Sequence, residues 1–252
     1  MRTTAVMSLE DKIVLALRKF YEEDAVRRHA GSKLVETQKI ALNMLSVTSS
    51  DWVLEVGCGG GALLSELERK RALTVGLDLS GNQIIQAKKI CKDTLFIVAD
   101  AQNLPFRDQC FSKCFAIEVL EHIPDPNRII KEFYRVLKRE GELLIVVPND
   151  RNWFVHRIVQ AEIGAAFYDF GHLHSFSSIS ELKPFLKGFN IVEIRENRKP
   201  TFFLLGLFSW VFQGAKNSQS LGEVQKSKPI LLYSRYFSPL LILHLIIELR
   251  KV

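Results

Sequence analysis

The stretch Val53-Leu-Glu-Val-Gly-Cys-Gly-Gly-Gly61 constrains this chain more than any other. It reads as a short buried strand that runs into a glycine turn, with a helix following over Ala62 to Arg69. Glycines in such a turn allow left-handed backbone and close approach of a ligand, and a helix N-terminus presents N–H groups without intrahelical partners. Two ligand classes use this device. Gly57, Gly59 and Ala62 fit the dinucleotide pattern Gly-x-Gly-x-x-Gly/Ala. Glu55, Gly57, Gly59 and Gly61 fit the acidic-x-Gly-x-Gly-x-Gly pattern of S-adenosylmethionine (SAM) sites. The glycines alone do not choose between the two, and a tight strand-to-helix connection with no ligand has the same look.

Strands and helices then alternate. Leu73-Thr-Val-Gly-Leu-Asp78 is a second apolar strand ending in a carboxylate, placed to accept hydrogen bonds from ribose hydroxyls. A third strand, Thr94 to Ala99, leads into Asp100-Ala-Gln-Asn-Leu-Pro-Phe106. A fourth, Cys114 to Ile117, leads into Glu118-Val-Leu-Glu-His-Ile123. A helix ending in Arg135-Val-Leu-Lys-Arg-Glu-Gly141 feeds a fifth strand, Glu142 to Val147. Such alternation predicts an α/β fold with a parallel sheet, right-handed crossovers and helices on both faces. Ligands of open α/β sheets bind at the carboxyl ends of the strands, where Glu55, Asp78, Asp100 and Glu118 all fall.

With these motifs at these spacings, residues 51–149 resemble a class I SAM-dependent methyltransferase, close to the small-molecule subgroup that includes the ubiquinone and menaquinone methyltransferases. The resemblance implies a Rossmann-like doubly wound sheet of order 3-2-1-4-5-(7)-6 and SAM as cofactor. It implies that the cofactor is held by Glu55, Gly57, Cys58, Gly59 and Gly61 around the glycine turn, by Asp78 and Leu79 at the ribose, and by Asp100 and Ala101 at the adenine. Ile117 and Glu118 fall where the methionine end would run. For Glu55 a second reading is a structural carboxylate bonded to the glycine loop; for Asp100 it is a turn cap. The family pattern carries Asp after the Phe that opens the fourth strand. This chain has Ser112 there, which implies a lost turn contact.

The remaining segments divide into an N-terminal helical cap (1–50), the SAM-binding domain (51–200) and a C-terminal segment (201–252). The cap reads as two helices broken at His29-Ala-Gly31, with Phe20 and Tyr21 placed either over the cofactor or in plain core contact. Residues 148–187 form a helical and aromatic insertion expected to hold the acceptor. Within it, Ser178 and Glu181 suggest a capping box on a helix reaching Leu186. Gly188 to Ile194 reads as a sixth strand. The seventh strand is hard to place, and Phe202 to Leu207 is the best candidate. Leu240 to Ile247 reads as an apolar helix with His244 as a core or interface residue.

Charge is uneven. Residues 195–252 hold nine basic and three acidic side chains, which is the whole net charge of +6. Both apolar runs of this segment fall short of the roughly 20 residues a membrane span needs, so residues 201–249 suggest interfacial contact with an acidic membrane surface. Core packing or a dimer seam is the competing reading. No secretory signal is evident, and the four cysteines lack metal-type spacing, which together suggest a reduced, cytoplasmic protein.

Methyl transfer from a sulfonium is a displacement at carbon. It needs alignment and exclusion of water, and a base only where the acceptor must lose a proton. His172 and His174 in the insertion, and His122 after the fourth strand, are the candidate bases. No metal site is expected. The expected acceptor is an oxygen or carbon of a hydrophobic or amphiphilic, possibly lipid-like small molecule. Alternatives are a soluble metabolite or sugar, or a SAM-fold binding protein without turnover. A nucleic-acid substrate is not expected, because the catalytic half is charge-neutral and the Asn/Asp-Pro-Pro-aromatic motif is absent.

Overall fold

A computed structural model describes residues 8–27, 34–149, 173, 174, 176, 178–197 and 243–252. The elements are α1 (Leu9–Arg27), α2 (Glu36–Met44), β1 (Trp52–Val56), α3 (Ala62–Arg69), β2 (Leu73–Asp78), α4 (Gly81–Ile90), β3 (Leu95–Val98), β4 (Phe111–Ile117), a 3-10 turn (Leu120–His122), α5 (Pro126–Val136), β5 (Leu137–Asn149), α6 (Ile179–Leu182), β6 (Phe189–Asn197) and β7 (Leu243–Lys251). The strands form one sheet of order β3-β2-β1-β4-β5-β7-β6. The pairings from β3 to β5 are parallel, and β7 runs antiparallel to both β5 and β6. This is the predicted doubly wound order.

Successive residues of each central strand point to opposite faces, so both faces are apolar. Leu54, Val75, Cys114 and Ile145 face α5, whose Ile129, Ile130 and Phe133 are buried. Val53, Phe115, Leu144 and Val146 face α2 and α3, where Leu45, Leu63, Leu64 and Leu67 are buried. α5 begins where the sequence dictates. Asp125 accepts the Asn127 N–H at 2.9 Å, and Pro126 occupies the first turn, where its missing N–H costs nothing.

Two motifs that co-occur in the sequence meet through one side chain. Arg135 donates to the Phe106 carbonyl at 2.6 Å, the Leu104 carbonyl at 2.9 Å and Asp108 at 2.8 Å, while Glu132 accepts the Leu104 N–H at 2.7 Å. The Leu-Pro-Phe segment is therefore pinned to the end of α5, and these residues shape the fold without touching the crevice. Ser112 makes contacts of its own. It donates to Asp51 Oδ1 at 2.8 Å and accepts the Trp52 N–H at 3.1 Å, tying β4 to the start of β1.

The C-terminal segment corrects two expectations. β7 is Leu243–Lys251, so the described part of the stretch read as an apolar helix, residues 243–247, is a strand between β5 and β6. Its side chains are buried on both faces: Leu245, Ile247 and Leu249 on one, Ile246 on the other. A strand covered on both sides shows no alternation, and a short apolar run of that kind cannot be told from a helix by periodicity. Phe202 to Leu207, the expected strand, lies outside the described residues. The N-terminus of the insertion helix also differs. α6 ends at Leu182, and Ser178 Oγ pairs with Ser180 Oγ at 2.6 Å with no side-chain cap formed.

Candidate active site

The crevice lies at the carboxyl ends of β1, β2, β3 and β4, under α1. The glycine turn is built by three different constraints. Gly57 is left-handed (φ +70°), and a Cβ there would meet Val119 Cγ2 at 2.5 Å. Gly61 is left-handed (φ +80°), and a Cβ would meet Ala87 Cβ at 2.9 Å. Gly59 (φ +49°) has no atom within 4 Å of its would-be Cβ, so its open side is the one a ligand can approach. The turn uses its own amides. Gly57 and Cys58 N–H donate to the Leu77 carbonyl at 2.8 and 3.1 Å, and Gly61 N–H donates to the Cys58 carbonyl at 2.9 Å.

Asp78 closes the turn. Its Oδ2 accepts the Gly59 N–H at 2.8 Å and its Oδ1 accepts the Ser80 N–H at 2.9 Å. Each carboxylate oxygen keeps a further lone pair for a ligand hydroxyl. Burial pushes the Asp78 carboxyl up against the pull of those two amides. Beneath the turn, Glu55 is 2 % exposed, and its Oε2 has no hydrogen-bond partner. Burial, with the charge of Asp78 added, holds its carboxyl well above the ordinary range. The reading of Glu55 as bonded to the glycine loop thus finds no such bond at Oε2.

A cavity of about 390 Å³ opens beside this pair, lined by Asp11, Val14, Leu15 and Arg18 of α1 and by Leu79, Val98, Ala99 and Asp100. α1 is held there by Glu22, whose Oε1 and Oε2 accept the N–H groups of Gly81 and Asn82 at 2.7 and 3.0 Å. Ser80 Oγ takes the Gln83 N–H at 3.2 Å, so three N-terminal amides of α4 are capped by Ser80 and α1 together. Glu22 carried no sequence signal, because its partners are backbone amides 59 and 60 residues away.

The other expected cofactor residues divide. Leu79 and Asp100 line the cavity. Asp100 also caps its own turn, with Oδ1 accepting the Gln102 N–H at 2.9 Å. Ala101 and the Cys58 side chain are buried in the two cores, so only their backbone is available to a ligand. Ile117 ends β4 and packs against the second core. Glu118 follows it with left-handed backbone (φ +56°).

Of the expected bases, His122 lies in the 3-10 turn that follows β4, and His174 is hydrogen-bonded to that turn. His174 Nε2 lies 3.3 Å from the Pro124 carbonyl, and its ring stacks on Phe176. The Leu173 and His174 N–H groups both donate to the Glu121 carbonyl, which docks the end of the insertion on the 3-10 turn. His122 meets the edge of Tyr21 at a centroid distance of 5.6 Å, and Tyr21 meets Phe20 at 5.2 Å. His172 lies outside the described residues. A histidine outside the expected set, His244 of β7, also lies at the strand ends, with Nε2 2.8 Å from Glu118 Oε1. Read as part of a helix, it had no reason to be placed there. Among the described residues no group of three or more His, Cys, Asp or Glu is arranged to hold a metal.

The site fits SAM on its own geometry. Gly59 with its open side is bonded to Asp78, Glu55 lies close enough to feel the charge of Asp78, and Leu79, next in the chain, lines the cavity with Asp100. Two buried carboxyls side by side also favour a ligand that carries positive charge.

Comparison with known proteins agrees. Residues 54–145 match the model of a methyltransferase domain family. A demethylmenaquinone methyltransferase of Thermotoga maritima is 30% identical over 189 residues, covering 68% of this chain and 82% of the relative. A ubiquinone biosynthesis O-methyltransferase of Coxiella burnetii is 35% identical over 123 residues, covering 44% of this chain and 49% of the relative, about half its length. A solved structure from Bacillus halodurans, assigned as a methyltransferase, superposes with a TM-score of 0.61 at 21% identity, over 85% of this chain and 98% of that one. That last likeness concerns the fold alone. By sequence, sheet order and relatives, the chain belongs to the class I SAM-dependent methyltransferases, among the small-molecule enzymes that include the ubiquinone and menaquinone methyltransferases.

Proposed function

We propose that the protein transfers a methyl group from SAM to an oxygen or carbon of a hydrophobic or amphiphilic small molecule. The observation that carries this reading is the bond of Asp78 to the open Gly59 of the glycine turn, with the adjoining Leu79 and Asp100 lining a cavity against α1. The bound sulfonium supplies an activated methyl group. The chain holds the ribose at Asp78, places a buried carboxyl at Glu55 for the cationic amino acid end, and uses Leu79 and α1 to shield the adenine from water. One relative is named for demethylmenaquinone and another for ubiquinone biosynthesis, which supports a quinone-like, amphiphilic acceptor here. The test is turnover. Protein, SAM and either lipid or soluble extract should yield S-adenosylhomocysteine and a product heavier by one methyl group in the lipid extract. A product confined to the soluble extract favours a polar acceptor. No product from either, with SAM bound, favours a binding protein.

Association with a membrane surface belongs to the same proposal in a narrower form. Leu243–Lys251 form β7, with Leu245, Ile246, Ile247 and Leu249 buried, so the proposal is narrowed to residues 201–242. No helix among the described residues is long and apolar enough to cross a membrane. Basic residues of that segment would each contribute on the order of 1 kcal/mol near an anionic surface. Full-length protein should float with anionic vesicles and release at high salt; protein that floats with neither anionic nor neutral vesicles has no such surface.

A further inference from the structure

α1 brings one cation, Arg18, to the cavity. Asp11, Val14, Leu15 and Arg18 all line it, and positions 11, 14, 15 and 18 fall on one face of a helix. The facing wall is Leu79, Val98, Ala99 and Asp100, at the ends of β2 and β3. Arg18 is exposed, and among the described residues it forms no hydrogen bond and no ion pair. Its neighbours on α1 are committed. Glu10 is paired with Arg128 of α5 at 3.2 Å. Glu22, one turn after Arg18, feels its charge, yet both its carboxylate oxygens accept the N–H groups of Gly81 and Asn82. The helix is thus fixed on either side of Arg18, and the guanidinium itself is left uncommitted at the cavity.

The place of this cation indicates which part of a ligand it meets. None of the residues lining the cavity belongs to β1 or to the glycine turn. Glu55 and Gly59, which suit the cationic amino acid end of SAM, lie on β1 and its turn, whereas the cavity is bounded by the ends of β2 and β3. A guanidinium beside a sulfonium or an ammonium would repel it, and this arrangement keeps them on different strands. The part of SAM that suits the cavity is the base. Leu79, Val98 and Ala99 offer an apolar wall on which a planar ring can lie, and the other face of the ring then turns to α1. A guanidinium is planar, weakly hydrated and attracted to the electron-rich face of an aromatic ring. Val14 and Leu15 continue that side with apolar surface. Asp11 and Asp100, the two acids of the lining, are acceptors suited to the amine at the ring edge.

We infer that Arg18 is a cofactor-binding residue whose guanidinium covers the face of the adenine opposite Leu79. This rests on the methyl-transfer reading above and adds to it a contact supplied from outside the sheet. Arg18 lies in no motif of the strand ends, so the glycine turn and the acidic residues that follow each strand do not announce it. It meets no part of the acceptor and takes no proton. Its effect is on affinity and not on the methyl-transfer step, so kcat at saturating SAM is unchanged when it is replaced. The affinity it contributes is the same for every ligand that carries adenosine, whatever group stands at the 5′ position.

The test is calorimetric titration of full-length wild type, Arg18→Met and Arg18→Lys with SAM, S-adenosylhomocysteine and 5′-methylthioadenosine. The last has the base and the ribose but no amino acid end. Methionine keeps the apolar stem and removes the charge, while lysine keeps the charge and removes the plane. Arg18 is exposed, so both variants should fold and melt near wild type without ligand. Arg18→Met should weaken all three ligands by one common factor, between about 2-fold and 30-fold, the span of cation–ring attraction from exposed to desolvated sites. Arg18→Lys should keep part of that affinity. A change in Arg18→Met below about 2-fold overturns the inference. A loss for SAM and S-adenosylhomocysteine with methylthioadenosine unaffected also overturns it, because Arg18 would then serve the amino acid end. Lost affinity accompanied by a lower melting temperature of the ligand-free variant overturns it as well, and makes Arg18 a packing residue of α1. Wild-type protein that binds neither SAM nor methylthioadenosine contradicts the methyl-transfer reading and this role with it. Wild-type binding of both, unchanged in Arg18→Met, contradicts this role alone.

Discussion

The Asp78 carboxylate accepts the N–H of Gly59 at 2.8 Å, so the residue proposed to hold the ribose also holds the glycine turn. A single side chain couples loop geometry to ligand contact. Hydrogen bonds to a charged group contribute about 1.5–3 kcal/mol each. Asp78→Ala should therefore lower SAM affinity by at least 10-fold, a loss of about 1.4 kcal/mol, and also lower the melting temperature of the ligand-free protein. Asp78→Asn should damage affinity less than Asp78→Ala. Calorimetric titration together with thermal melting checks both effects; a variant with lost affinity and an unchanged melting temperature would separate the two roles.

The three glycines of the turn should respond differently. Gly57→Ala and Gly61→Ala each add a clash to a left-handed backbone, and each should destabilise the fold by about 1–3 kcal/mol or more. Gly59→Ala meets no neighbour within 4 Å. It should lose less stability and more SAM affinity than the other two. Denaturant unfolding paired with SAM titration ranks them.

Glu55 supplies a pH dependence. Its folded carboxyl is held well above the ordinary range by burial and by Asp78. The folded state thus binds the proton more tightly than the unfolded chain. Its contribution to stability is fully present below the unfolded value, near 4.3, and is lost as pH rises toward the raised folded value. Glu55→Gln cannot ionise, so the ligand-free variant should be relatively more stable at pH 8 than at pH 5 when compared with wild type. A cationic ligand lowers the same carboxyl, so SAM binding should release protons and tighten as pH rises through the acid range. Titration in buffers of different ionisation enthalpy measures the release. Proton uptake on binding would contradict this account of the site.

Much of the fold was legible beforehand because four of the five parallel strands, β1 to β4, end in a chemical signal: Glu55 before its glycines, Asp78, Asp100 and Glu118. The strands and helices from β1 to α5 follow from apolar runs and caps within one local window, except that β4 begins at Phe111, three residues before the expected Cys114, and α5 gives way to β5 at Leu137. What escaped is non-local. β7 is an insert between β5 and β6 that is buried on both faces, so its sequence has no alternation to identify it. With β7 misread, His244 had no route to Glu118. The same blindness hid Glu22, whose carboxylate meets α4 amides far along the chain. The histidines that sequence favoured, His122 and His174, are conspicuous by motif, yet the first packs on Tyr21 and the second on Phe176 and the Pro124 carbonyl.

Placing β7 also changes how the tail must be tested. β5 and β6 have no direct pairing, and β7 joins them. Removing residues 243–252 should leave both edges open and an apolar core exposed, and the shortened chain should aggregate. Removing residues 205–240 keeps β7 on a linker and should leave a folded, SAM-binding protein. Solubility and circular dichroism of the two deletions check this directly.

α1 should govern how long the cofactor stays. Burial works against the charge on Glu22, but the N–H groups of Asn82 and Gly81 prevail and hold its carboxyl below the ordinary range. Glu22→Ala should speed SAM dissociation several-fold with little change in the association rate, as read by stopped-flow fluorescence. An unchanged dissociation rate would mean that α1 does not roof the site.

Calorimetric titration of the full-length protein with SAM, S-adenosylhomocysteine and NAD tests the central claim most directly. The account predicts one site for SAM and for S-adenosylhomocysteine, competition between them, and no heat from NAD. Binding of NAD with no affinity for SAM would contradict it.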